Sequence, residues 1–71
     1  MSEILSHFIK RKRKELRITQ AELAGRAGVG LRFLRELEQG KPSLRLDKVN
    51  LLLDMFGYEM MPARKETSNE T

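Results

Sequence analysis

The 71-residue chain contains no cysteine and no tryptophan, a single histidine (His7) and only two prolines. No disulfide can staple the fold, and one histidine without a thiol leaves no His/Cys metal cluster. Nor is there an apolar run near the roughly 18 residues that a membrane span needs, and the N-terminus lacks the apolar stretch of a signal peptide. The expectation is a soluble, cytoplasmic chain with no metal or other cofactor and no membrane partner. Catalytic signatures are missing as well. No nucleophile and base stand out as a pair, and the glycine-rich stretch at 25–30 has neither a preceding strand nor the Lys-Ser/Thr of a phosphate loop. An enzyme is not expected.

A chain this short makes one domain at most, and a domain of this size buries only about 60% of the surface its unfolded chain exposes. With disulfides and metals excluded, self-association is the natural supplement to so small a core. Charge is what the sequence has in excess. Fourteen Lys+Arg oppose ten Asp+Glu, and twelve of the fourteen basic residues lie between Lys10 and Lys48, where only five acidic residues accompany them. That segment carries a net +7, which suits a polyanionic partner.

Apolar spacing and turn signals divide the chain into four short helices. The first runs from Ser2 to about Lys14, with Ile4, Leu5, Phe8 and Ile9 on one side and Lys12 at the edge of the apolar face. Thr19 and Glu22 form a capping box that opens a second helix, Leu23, Ala24 and Ala27 give it a short inner face, and Gly28 ends it in the left-handed conformation. A third helix spans about 30–39 with Leu34 and Leu37 inward, stopping at Gly40 before Pro42. Asp47 is the expected N-cap of a fourth, which carries Val49, Leu51, Leu52, Leu53 and Phe56 and ends at Gly57. Residues 58–62 have the pattern of a short strand, and 63–71 are polar, aperiodic and expected to be disordered. The domain proper is thus residues 1–62.

Two helices joined by a glycine turn, the first with a small residue at the crossing and the second with an apolar inner face, meet the requirements of a helix-turn-helix. Ala24, Gly28, Leu34 and Leu37 satisfy them. The segments Ile18-Thr19-Gln20-Ala21-Glu22-Leu23-Ala24, Ala27-Gly28-Val29-Gly30 and Leu34-Arg35-Glu36-Leu37-Glu38-Gln39-Gly40 resemble the lambda-repressor-like (Cro/repressor, XRE) helix-turn-helix family over about residues 4–57. Within it, residues 40–49 followed by Phe-Gly-Tyr-Glu look most like the small HipB-type antitoxins; a stand-alone or phage-type repressor is the alternative.

The resemblance implies an all-α DNA-binding repressor. Leu31, Arg32, Arg35 and Glu36 match base-reading positions, and Arg32 and Arg35 suit bidentate pairing with guanine. Gln20 matches a position that bonds a phosphate or base edge; Lys41, Ser43 and Arg45 match a phosphate-contacting loop. Arg13 is expected to pair with Glu38. Three positions depart from the pattern. Gly30 and Leu31 replace a polar pair, Phe33 is a large aromatic beside the groove face, and Arg17 stands where glycine is common. The apolar excess of the fourth helix points to a homodimer, with Leu52, Met55, Phe56, Tyr58 and Met60 at its interface, and hence to a palindromic double-stranded operator. The antitoxin reading adds a HipA-like kinase toxin as partner.

Overall fold

The computed structural model describes residues 2–64. It contains α1 (Ser2–Glu15), α2 (Gln20–Ala27), α3 (Leu31–Glu38) and α4 (Leu46–Asp54), and no strand among the described residues. The all-α expectation is met. Residues 58–62 are irregular, with no strand assigned among the described residues, so the short strand expected there is not seen within one chain. Most of the stretch expected to be disordered, residues 65–71, lies outside the described residues.

Both boundaries of α2 have a local cause. In α2 the Thr19 hydroxyl accepts from the Glu22 N–H at 3.1 Å, and the Glu22 carboxylate accepts from the Thr19 N–H at 2.8 Å. That contact holds the Glu22 carboxyl below the usual carboxylate range, chiefly through the Thr19 backbone N–H. Gly28 closes α2 at φ 78°, and the Gly28 and Val29 N–H groups both bond Ala24 C=O at 3.0 Å. The turn before α2 needs the same left-handed geometry, and there Arg17 itself adopts φ 58°. A side chain in that region costs of order 1 kcal/mol, and the Arg13 guanidinium steadies the turn by donating to Ile18 C=O at 3.0 Å.

The start of α4 differs from expectation. Arg45, not Asp47, occupies the N-cap position and makes no side-chain cap bond. Asp47 lies inside the first turn, where its carboxylate is gripped by the Arg45 guanidinium at 3.2 and 2.8 Å. An acidic side chain in the first turn still favours the helix through its dipole.

The core comprises Ile9 from α1, Leu23, Ala24 and Ala27 from α2, Leu34 and Leu37 from α3, and Val49, Leu52 and Leu53 from α4. Five of these, Ile9, Leu23, Leu34, Leu37 and Leu52, are wholly buried, each contributing about 1.5–3 kcal/mol. α3 packs against α1 and α2, while α4 closes on α2. The small Ala24 and Ala27 let α2 and α3 approach across the turn. This fixes α3 with Leu34 and Leu37 inward and its opposite face outward.

Candidate nucleic-acid interface

α3 turns Arg32 and Arg35 to solvent, and the Arg32 side chain is 92% exposed. At about 100° per residue these two and Glu36 share the face opposite Leu34 and Leu37. Glu36 is half-buried and links two cations: its Oε2 lies 3.5 Å from Arg32 Nε, and its Oε1 accepts from Lys41 Nζ at 3.2 Å. Ser43 and Arg45 are exposed in the following loop, with Arg45 forked onto Asp47. This contact lowers the Asp47 pKa. The expected base-reading face and phosphate loop therefore adjoin at Glu36 and Lys41.

Leu31 is placed differently from expectation. It sits on the flank of α3, half-buried and packed against the core edge, because its position falls between the inward and outward faces. Phe33 packs against the core on the other flank, with Lys48 Nζ 5.8 Å from its ring centroid. Nothing in the residues around Lys48 signals this contact, since its proximity to Phe33 depends on where α3 and α4 come to lie. Gly30 gives α3 an N-cap with no side-chain bond.

Behind the exposed face lies a buried clamp. Glu38, only 3% exposed in its side chain, accepts from Arg13 Nε at 2.8 Å and Nη2 at 3.0 Å, and from Gln20 Nε2 at 3.0 Å. Burial acts to raise the Glu38 pKa. The bonds from Arg13 and Gln20, with the charges of Arg13 and Lys10, outweigh it and leave the carboxyl below its ordinary value. The hydrogen bond to Glu38 raises the Arg13 pKa in turn. The Arg13–Glu38 pair implied by the resemblance is present. Gln20 is tied to the same carboxylate, which leaves one N–H of its amide for an outside acceptor.

The five basic residues at 10–14 do not act together. Arg13 joins the clamp, Arg11 and Lys12 approach Glu15 at 3.9 and 3.7 Å, and Lys12 Nζ lies 5.7 Å from both the Phe8 and Tyr58 rings. That spread follows from a run wrapping the whole helix.

Among the residues expected at a dimer interface, Leu52 is corrected: it is wholly enclosed by its own chain. Met55 and Phe56 are half-buried against the core, and Tyr58 and Met60 are exposed. These last two belong to a wider exposed apolar surface. Ile4, Leu46, Tyr58, Met60 and Met61 line an open apolar groove of about 410 Å³ between the start of α1, the loop before α4 and the segment at 58–61. That segment is held by a bond from Met60 N–H to Asn50 Oδ1 at 2.9 Å and an edge-on contact of Tyr58 with Phe8.

A family model described as helix-turn-helix matches residues 9–61. Over 45 residues the chain is 53% identical to a protein of Sinorhizobium fredii (strain NBRC 101917 / NGR234) named uncharacterized HTH-type transcriptional regulator y4mF. The alignment covers 63% of this chain and 59% of the relative, so the chain spans less than two thirds of that protein's length. No solved structure matches.

Proposed function

The chain belongs to the helix-turn-helix family of the lambda-repressor-like kind, and from that premise we propose that it is a sequence-specific DNA-binding transcriptional repressor. The observation that carries this reading is the outward face of α3. Arg32 and Arg35 stand clear of the core on a rigid helix, beside a basic loop containing Lys41, Ser43 and Arg45. A helix of this kind enters the major groove, its arginines pair with guanine O6 and N7, and the loop holds phosphates to fix register. The half-free amide of Gln20, at the start of α2, faces the same task. The relative's name as a transcriptional regulator supports the reading.

In this proposal the chain acts as a homodimer on a palindromic operator, with half-sites about 34–36 Å apart or a multiple of that spacing. The apolar groove lined by Ile4, Leu46, Tyr58, Met60 and Met61 receives the second copy, which supplies the burial that a core of nine small and medium side chains leaves short. The resemblance of residues 40–49 and the segment after α4 to HipB-type antitoxins favours a toxin-antitoxin operon, with a HipA-like kinase as the second partner. A stand-alone or phage-type repressor has the same DNA chemistry without that partner.

A salt-titrated binding assay on the DNA upstream of the protein's own gene tests the central reading. A steep salt slope and a preference of about 10³-fold or more over random duplex are expected. Equal, weak binding to both duplexes overturns it. Sedimentation of Met60→Asp tests the dimer face, with a monomer expected. A kinase-like reading frame next to the gene, together with co-purification of its product, separates the antitoxin from the lone repressor.

A further inference from the structure

Glu36 stands at a base-facing position, yet neither of its oxygens is idle. One lies 3.5 Å from Arg32 Nε and the other accepts from Lys41 Nζ at 3.2 Å. These are the two cations that flank it on the DNA-reading surface, one from the turn of α3 before it and one from the loop after the helix. Its side chain is only 31% exposed, against 92% for Arg32 and 48% for Lys41, so the carboxylate is seated on the helix while its partners extend from it. A cytosine amino group would have to displace one of two cations to reach it.

We propose that Glu36 is an internal competitor for DNA phosphate, withholding Lys41 and Arg32 from random duplex and thereby setting the sequence preference of the domain. The proposal rests on the DNA-binding reading above. Random duplex offers these cations only another anion, and for that exchange the Glu36 charge is left bare beside the phosphates, which repel it. The gain on random DNA is therefore small. A correct site adds base pairing by Arg35 and by the terminal nitrogens of Arg32, whose Nε stays beside the carboxylate, so the ion pairs are not given up there and Glu36 costs that complex little. Specificity here comes from weakening the wrong complex more than the right one. Arg35 reads bases without this restraint, Lys41 and Arg32 are restrained, and Glu36 touches no base.

The test measures binding of the full chain to a short random duplex and to its own upstream DNA, across salt concentration. The proteins are wild type, Glu36→Gln, Lys41→Met and the double variant. Glu36→Gln should tighten random-duplex binding roughly five- to tenfold at about 50 mM salt and steepen the salt slope by about one. Binding to upstream DNA should change by less than about threefold, so the preference falls. In the Lys41→Met background most of the gain on random DNA should vanish.

An equal gain in that background reduces Glu36 to a general negative charge and overturns the proposal. Loss of upstream-DNA binding with random binding unchanged also overturns it, because Glu36 would then be reading a base. Specific binding by the wild type with no effect of Glu36→Gln on either duplex sinks this proposal alone. A wild-type chain that binds neither duplex removes the DNA-binding reading, and the competitor role with it.

Discussion

Glu36 and Glu38 lie two residues apart on α3, and each holds basic partners, yet they serve opposite ends. Two steps along a helix rotate a side chain by about 200°, so one carboxylate points into the domain and the other toward solvent. Glu38 is enclosed and receives three hydrogen bonds from Arg13 and Gln20, which fasten α3 to α1 and to the start of α2. Glu36 is half-exposed and meets Arg32 and Lys41 at longer distances. An ion pair out of water is costly to break because it strands a charge, whereas one in water is worth little and exchanges easily. Burial, and not the kind of pair, decides whether a carboxylate holds the fold together or stays available for exchange.

The sharpest way to break this contrast is Glu38→Ala. Removing one member of the buried clamp should lower stability by about 3 kcal/mol, and for a domain of this size the melting temperature by about 15 °C. Thermal unfolding followed by circular dichroism checks it; a loss below about 1 kcal/mol would mean Arg13 and Gln20 find water as readily as they found Glu38.

Acid probes the same residue. The folded Glu38 pKa lies below its unfolded value near about 4.3, so its contribution is fully present above that value and is lost as pH falls through the folded pKa. Urea midpoints for wild type should therefore fall across this acid window, and Glu38→Gln should show a flatter fall. Some slope should persist, because the Glu22 and Asp47 pKa values are depressed too.

Smaller effects follow from local geometry. Thr19→Ala, which opens the capping box of α2, should destabilise by about 1 kcal/mol in chemical denaturation. Arg17→Gly should stabilise by about 0.5 kcal/mol, since glycine relieves the left-handed strain at φ 58° while adding freedom to the unfolded chain. A melting temperature that drops for Arg17→Gly would show that Arg17 contributes something other than strain. Glu36→Gln should leave stability within about 0.5 kcal/mol of wild type. A much larger loss would erase the distinction between the two carboxylates.

Much of this architecture was legible in the residues. The Thr19–Glu22 box and the Gly28 stop mark α2 because capping depends on residue type at fixed offsets, and the structure contains both. Leu34 and Leu37 point inward because helical periodicity is a local property. The Arg13–Glu38 clamp joins residues 25 apart, and it was expected from family resemblance alone, since no local rule relates them.

Other features depended on packing. Asp47 looks like an N-cap, but the helix begins two residues earlier than that cap would place it, and Arg45 claims the carboxylate. Leu31 has the sequence position of a groove contact, and the angle at which α3 sits turns it toward the core edge. Leu52 is one of several leucines on α4, and nothing in its immediate neighbours distinguishes the enclosed one from the exposed Leu51. A strand at 58–62 needs another strand beside it, which no property of the segment itself can supply. Lys48 gains its place over Phe33 only once α3 and α4 are both packed into the domain.

The edge-on contact between Phe8 and Tyr58, with ring centroids 4.8 Å apart, joins the first helix to the segment beyond the last one. Closing so long a loop of chain costs more entropy than forming the turn between α2 and α3, so this contact should form late in folding and open early. Hydrogen exchange at Met60 N–H, bonded to the Asn50 side chain, should accordingly run ahead of exchange in α2 and α3. The order in which the domain opens would then dismantle the apolar groove, one wall of which is this segment, while α3 is still in place.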